Sequence, residues 1–188
     1  MYLSRKTYVK NWDHMTPEER TEISVSRGGK PLPGIDVKNI SYIEEEVGYW
    51  RKANQIHLWF TDNCADGVDE CQTVWIDPEK LKELYEICVK IKNEVIMGED
   101  DIENGYTFKK NEEGKAVKVP LMEKGLIMVN PQIAEELLPT QSGFFFGSTN
   151  YDQWYMRDIE LTIEILKPLV EQEAQKGLSQ EYYYRASW

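Results

Sequence analysis

Residues Gly48–Phe60 read GYWRKANQIHLWF, and this stretch places two different helical faces within fewer than four turns. At about 100° per residue, the two faces form stripes about a quarter-turn apart. The first stripe is apolar and predicts ordinary core: Tyr49, Ala53, Ile56 and Phe60. The second aligns a ring, an amide, an imidazole and a hydroxyl: Trp50, Asn54, His57 and Thr61. Because packing alone does not require that mixture, we predict that the second stripe forms the wall of a ligand pocket.

The composition around this stretch indicates a folded, acidic protein of one domain over residues 1–188. Hydrophobic residues make up 41% of the chain and aromatic residues 12%, which is enough for a sizeable core. The net charge of −11 argues against nucleic acid and against anionic membrane surfaces as partners. No run approaches the roughly 18 apolar residues that a spanning helix needs. The first residues lack an apolar signal core, so we expect a cytoplasmic protein.

A helix should contain most of the Gly48–Phe60 stretch. We place its start between residues 40 and 47, because the acidic run Glu44–Glu46 suits a helix N-terminus, and its end near Thr61. The run Ile40–Ile43 is either a short strand or the first turn of this helix. Earlier in the chain, we predict a strand over residues 2–10, a short helix from Pro17 and a loop rich in glycine and proline over 28–34.

The rest of the chain alternates further helices and strands. Thr73–Ile76 predicts a strand, and Asp77-Pro78 provides an N-cap and a first-turn proline for a helix over 78–96. Residues 98–129 predict a β-hairpin insertion around the turn-like Asn111–Lys115, which could project as an arm. After it we expect a short helix to about Leu138, a strand over Ser142–Gly147 and a long helix from Tyr151 to about Val170, kinked or ended at Pro168.

Together these elements predict an α+β fold, with a small, mainly antiparallel sheet packed by three or four helices. The tail Glu181–Trp188 carries too many rings for an idle end, so it should dock on its own domain or on a second subunit. The odd number of cysteines argues against a disulfide framework, and Cys88 should be a small core residue.

The strand-to-helix joint Gly143–Tyr151 is a second candidate for binding. Glycine permits close approach, and hydroxyls beside the free N–H groups of a helix start can hold a phosphate. The alternative is that Ser148, Thr149 or Asn150 simply caps the following helix.

Other chemistry finds little support in the pattern. His57 has no second histidine or nearby carboxylate in a catalytic spacing, and no nucleophile elbow, Walker sequence or dinucleotide-binding loop occurs. The loop Asp62–Thr73 resembles a calcium loop but ends in threonine where a bidentate glutamate is needed. A zinc site from Cys64, Cys71 and His57 would be a ligand short. We therefore predict no catalytic residue, no metal and no cofactor.

Three segments resemble the signature segments of a family of small, functionally unassigned proteins of tailed phages and prophages: RKTYVKNW at Arg5–Trp12, YWRKANQIHLWF at Tyr49–Phe60 and LPTQSGFFFGSTNYD at Leu138–Asp152. The resemblance covers the ends and the middle of the chain and leaves out residues 98–129. It implies a phage accessory protein that acts in the host cytoplasm, and it brings no catalytic residue with it.

Small acidic phage proteins often counter bacterial immunity, and one physical means is to sequester a nucleotide messenger. We therefore expect a protein that binds a cyclic ADP-ribose isomer or a cyclic oligonucleotide without catalysis, as a possible homo-oligomer. The alternatives are an enzyme acting on such a nucleotide through His57, or an inhibitor of a host defence protein. The expected ligand contacts are Arg5, Trp50, Arg51, Asn54, His57, Ser148, Thr149, Tyr151 and Trp154.

Overall fold

The computed structural model of the protein describes residues 1–143, 147–171 and 179–187, and its fold is α+β, as predicted. The described elements in chain order are β1 Tyr2–Tyr8, β2 Ser26–Arg27, β3 Lys30–Pro31, β4 Tyr42–Tyr49, α1 Asn54–Cys64, β5 Thr73–Ile76, α2 Pro78–Glu94, β6 Met97–Lys110, β7 Ala116–Met128, α3 Gln132–Leu137, α4 Gln153–Glu171 and β8 Gln180–Arg185, with short 3-10 helices at Pro17–Glu19 and Val37–Asn39. Among these described helices, none is both long and apolar enough to cross a membrane.

The chain divides into two compact units. Unit 1 comprises Met1–Arg51, Phe60–Lys82 and Ile165–Trp188, and unit 2 comprises Lys52–Trp59 and Glu83–Glu164. The predicted single domain over residues 1–188 remains a prediction, which this division into two units does not test.

Unit 1 is built on an antiparallel sheet of four strands in the order β4-β1-β8-β5. One face of the sheet buries apolar side chains, because residues alternate between the two faces of a strand. Gly48 of β4 lets the side chain of Ile165 pack directly on the strand, since a Cβ at position 48 would lie only 2.7 Å from Cγ2 of Ile165. The tail docks within its own unit: β8 pairs with β1 and β5, and Tyr182 and Tyr184 are buried. Trp188 lies outside the described residues.

The helix predicted to start between residues 40 and 47 is wrong, because that segment forms strand β4. Its acidic residues pair with basic residues of β1 across the ladder, Glu45 opposite Arg5 and Glu44 opposite Lys6. Opposite charges facing each other across strands stabilise the sheet, which outweighs the local preference of glutamate for a helix N-terminus. Consequently α1 begins only at Asn54, and Tyr49, predicted as core, is 46% exposed.

Unit 2 contains the predicted hairpin, β6 paired with β7 in antiparallel register. Asn111 forms its turn, since the side-chain Oδ1 accepts hydrogen bonds from the backbone N–H groups of Glu113 and Lys115. The predicted helix starting at Asp77-Pro78 is α2, and its Leu84, Cys88 and Ile91 are buried.

The last long helix, α4, begins at Gln153 rather than Tyr151. Its cap is Asp152, whose Oδ1 accepts hydrogen bonds from the N–H groups of Trp154 and Tyr155, so the predicted capping by Ser148, Thr149 or Asn150 is wrong. Pro168 lies inside the helix, which continues to Glu171 instead of ending there. The strand predicted over Ser142–Gly147 falls largely on Phe144–Phe146, which lie outside the described residues.

Candidate functional site

The amide of Asn54 joins the two segments that the sequence singled out, Gly48–Phe60 and Gly143–Tyr151. Its Nδ2 donates a hydrogen bond to the carbonyl oxygen of Ser148 at 2.9 Å, and its Oδ1 accepts one from the N–H of Gln141 at 2.9 Å. Asn54 is only 1% exposed. One buried side chain therefore joins Gln141 to Ser148.

Neighbouring hydrogen bonds hold the residues on either side of this link. The Thr140 hydroxyl donates to the carbonyl of Thr149 at 3.0 Å, and the Thr140 N–H donates to the Tyr151 hydroxyl at 3.2 Å. The N–H of Gly147 donates to the carbonyl of Lys52 at 3.2 Å. Ser148 and Thr149 are exposed, and the Ser148 hydroxyl accepts a hydrogen bond from the Asn150 N–H at 3.1 Å. The structure thus brings together four of the predicted contacts, Asn54, Ser148, Thr149 and Tyr151.

The remaining predicted contacts are dispersed over the chain. In unit 1, Arg5 donates two hydrogen bonds to Oε2 of Glu45, Trp50 is fully buried and Arg51 is exposed. In unit 2, His57 is 2% exposed and Trp154 lies half exposed in the first turn of α4. Trp50 precedes α1, so the predicted second stripe does not lie on one helix.

The carboxyl group of Asp158, which is partly buried, contacts the residue that follows Asn54. Nε2 of Gln55, the residue after Asn54, donates a hydrogen bond to Oδ2 of Asp158 at 3.1 Å. Burial raises the pKa of Asp158 to about 6, while the Gln55 hydrogen bond and the charge of Arg157 oppose the rise. Asp152 is also buried, and its Oδ2 has no hydrogen-bond partner among the described residues. The interior of unit 2 therefore contains two carboxyl groups whose charged forms are disfavoured.

Replacing Asp158 by asparagine should make unit 2 more stable at neutral pH. The folded-state pKa of about 6 lies above the ordinary value of 3.8, so the folded state binds more protons in that interval and stability falls as the pH rises through it. The difference corresponds to a loss of up to about 3 kcal/mol between pH 4 and pH 7. Asp158→Asn removes this loss, and its Oδ1 can still accept the Gln55 bond.

Urea unfolding of the wild type and of Asp158→Asn at several pH values measures this effect. The stability gain of the variant should be near zero at pH 4 and should grow towards pH 7. Glu164→Gln, an exposed position on the same helix, serves as the matched control. A constant difference across the pH range would show that Asp158 is ionised with an ordinary pKa in the folded protein.

The largest surprise relative to the sequence is a cavity of about 400 Å³ in unit 1, formed by residues 9–40. This lies within the size range of about 300–1,000 Å³ typical of ligand sites. The lining residues are Val9, Lys10, Asn11, Trp12, Asp13, Arg20, Thr21, Ile23, Val37, Lys38 and Ile40.

Local hydrogen bonds fix the walls of this cavity, which we call the Trp12 cavity. Asn11 and Thr21 are joined twice, because Asn11 Nδ2 donates to the Thr21 carbonyl and the Thr21 N–H donates to Asn11 Oδ1, each at 2.8 Å. In the segment between Asn11 and Thr21, Thr16 and Glu19 form a capping box at the 3-10 helix Pro17–Glu19. Asp36 caps the 3-10 helix Val37–Asn39, because its Oδ1 accepts a hydrogen bond from the N–H of Lys38. The chain between β1 and β4 therefore has a defined structure, although it contains few regular elements. The sequence predicted only part of this structure, a short helix from Pro17 and a loop over residues 28–34.

The chemistry of the Trp12 cavity combines positive charge with one exposed ring. Lys10, Arg20 and Lys38 line it together with a single carboxylate, Asp13. In the part of the chain that the structure describes, none of these three cations takes part in an ion pair. The Trp12 side chain is 53% exposed, and Nζ of Lys10 lies 4.7 Å from its ring centroid. Such a site suits an anion that also carries a flat ring.

Sequence reasoning missed the Trp12 cavity, although a signal was present. Lys10 and Trp12 lie in RKTYVKNW, which was noted only as part of a resemblance. The other two cations are 10 and 28 positions beyond Lys10, so no local spacing connects them. Within the described residues, no group of three or more histidine, cysteine or acidic side chains is arranged to hold a metal ion.

Set against known proteins, the chain matches no protein-family model, no curated protein sequence and no solved structure.

Proposed function

We propose that this protein binds a nucleotide-derived ligand in the Trp12 cavity and sequesters it without changing it chemically. The observation that carries the proposal is the combination of three cations and an exposed indole around one cavity. Lys10, Arg20 and Lys38 would hold phosphate oxygens, and Trp12 would stack on the base. Val9, Ile23, Val37 and Ile40 add apolar side chains to the lining, and charge interactions beside apolar groups are stronger than in bulk water.

The charge distribution supports a compact ligand rather than a polymer. The protein carries a net charge of −11, so a long nucleic acid would be repelled outside the cavity. A cyclic dinucleotide or a cyclic ADP-ribose isomer carries only two phosphates on one compact molecule, which three neighbouring cations can neutralise. The proposed biological role, countering a nucleotide-signalled bacterial immunity, rests on the resemblance to phage accessory proteins.

A binding measurement with cavity variants tests this proposal. With cyclic di-AMP and a cyclic ADP-ribose isomer as probes, calorimetry should detect binding of at least one of them to the wild type. Trp12→Ala should weaken that binding about tenfold to a hundredfold through loss of stacking, and Arg20→Ala with Lys38→Ala should weaken it by at least as much. Lys30→Ala, an exposed lysine of the same segment outside the cavity, should bind like the wild type.

The fate of the ligand separates sequestration from turnover. After incubation in lysate of bacteria whose nucleotide-signalled immunity has been triggered, heat denaturation should release the intact messenger, identified by mass spectrometry. Release of a cleaved product that disappears in His57→Ala would establish an enzyme instead. Equal binding by the wild type and Trp12→Ala would remove the Trp12 cavity as the site.

A further inference from the structure

The outer part of the β6–β7 hairpin has no covering layer in unit 2. Over residues 103–122 every described side chain is exposed, except Thr107 and Val119, which are half-buried. Two strands alone are marginally stable in water, because neither face of the ribbon is desolvated. A ribbon of this length therefore gains stability if another surface covers it.

Large apolar side chains lie exposed on this ribbon. They are Tyr106 at 52%, Phe108 at 64%, Val117 at 38%, Leu121 at 48% and Met122 at 55% exposure. Tyr106 and Phe108 lie on one face, and their rings contact edge to face with centroids 5.5 Å apart. Apolar groups concentrated on an uncovered sheet mark an interaction surface more often than scattered single residues do.

Charges are separated along the same hairpin. The base, residues 97–103 and 122–128, carries five acidic residues and one lysine: Glu99, Asp100, Asp101, Glu103, Glu123 and Lys124. The outer end, residues 106–119, carries four lysines and two glutamates: Lys109, Lys110, Lys115, Lys118, Glu112 and Glu113. The base is thus negative and the outer end positive, and the exposed rings of Tyr106 and Phe108 lie where the outer end begins.

We propose that a second copy of this chain covers the hairpin, with the two hairpins antiparallel. In this arrangement the basic end of each hairpin lies on the acidic base of the other, and Tyr106 and Phe108 meet near the two-fold axis. Such an interface is self-complementary, since each contact occurs twice. A parallel arrangement would instead place base on base and end on end, which like charges disfavour.

The distances along the strands agree with this pairing. Asp101 and Lys109 are eight positions apart on β6, about 27 Å at about 3.4 Å per residue. That separation exceeds the Debye length of about 8 Å at physiological salt, so the two ends act as independent charge patches. Antiparallel hairpins would satisfy both patches at once.

Charge reversal tests the proposal on the full chain by analytical ultracentrifugation over a dilution series. The wild type should dimerise. Lys109→Glu with Lys110→Glu gives the outer end a net negative charge like that of the base. Glu99→Lys with Asp100→Lys and Glu103→Lys gives the base a net positive charge like that of the outer end, and it keeps the ion pair between Asp101 and Lys124. Each variant alone should associate about tenfold or more weakly. Mixed in equal amounts, the two variants should form a heterodimer, because both contacts become attractive again.

Controls exclude a general effect of charge or folding. Lys82→Glu with Lys90→Glu, at exposed positions of α2, changes the net charge by the same amount as Lys109→Glu with Lys110→Glu and should leave the dimer intact. All variants should keep the circular dichroism spectrum of the wild type, since the altered side chains are exposed. A monomeric wild type at every concentration, reversed variants that self-associate like the wild type, or a mixture that stays unassociated would each overturn the proposal.

Discussion

Trp50→Ala should lower the free energy of unfolding by about 3–5 kcal/mol, the usual range for deleting a large buried ring. Trp50 is fully buried in unit 1, and its ring lies 6.0 Å from that of Phe60. Phe60 in turn stacks on Tyr184 at 4.1 Å. The deletion would therefore leave a cavity beside the packed rings of Phe60 and Tyr184.

The comparison that isolates burial is Trp75→Ala, because Trp75 belongs to the same unit and is 52% exposed. Urea denaturation followed by circular dichroism should show a loss below about 1 kcal/mol for that control. Similar losses for both variants would mean that Trp50 is accessible in solution, as its predicted role in a ligand-facing wall requires. A large loss for Trp50 alone assigns it to the core.

Asn54→Ala should destabilise the protein by about 2–4 kcal/mol, because it removes two hydrogen bonds of one buried amide. The Gln141 N–H and the Ser148 carbonyl both lose their partner. Asn54→Asp should be at least as harmful, although it has the same shape. One carboxylate oxygen can still accept from Gln141, but the other faces the Ser148 carbonyl as acceptor against acceptor, and a charge is buried.

Hydrogen exchange gives this prediction a readout specific to the Gln141 amide. The Gln141 amide should exchange faster in both variants than in the wild type, relative to amides in the middle of α2. Asn93→Ala, an exposed position on α2, serves as the stability control. Unchanged protection of Gln141 in Asn54→Ala would show that the clamp does not persist in solution.

Helices and strands were predictable where the spacing of apolar residues and the capping or turn residues at the ends indicate the same element. Asp77-Pro78 marks the start of α2, and Asn111 marks the turn of the hairpin, in both cases because one side chain satisfies the backbone locally. The start of α4 was less clear, since several residues before it can cap a helix and only the fold selects Asp152.

Prediction from the sequence failed where pairing between residues far apart in the chain decides the structure. Glu44–Glu46 suits a helix start in isolation, yet Arg5 and Lys6 on β1 draw it into a strand. The same limit applies to the candidate sites. Asn54 was singled out because it shares a helical stripe with a ring, an imidazole and a hydroxyl, but its hydrogen bonds to Gln141 and Ser148 follow only from the fold. The Trp12 cavity joins cations from three separate turns, so no pattern of local spacing reveals it.

The pairing of β1 with β8 has a consequence for how the chain acquires its structure during synthesis. Tyr8 and Glu181, which are joined by a hydrogen bond in this pairing, lie 173 positions apart in sequence. Strand β8 also pairs with β5, so β5 has no partner in the sheet until β8 has left the ribosome. Pairings of such high contact order form late and slowly, whereas the β6–β7 hairpin is local and can close early. During translation β4 and β1 can therefore pair as a two-stranded ribbon before β8 is synthesised. The glutamates at 44–46 of β4 then hinder pairing of this edge strand with other nascent chains.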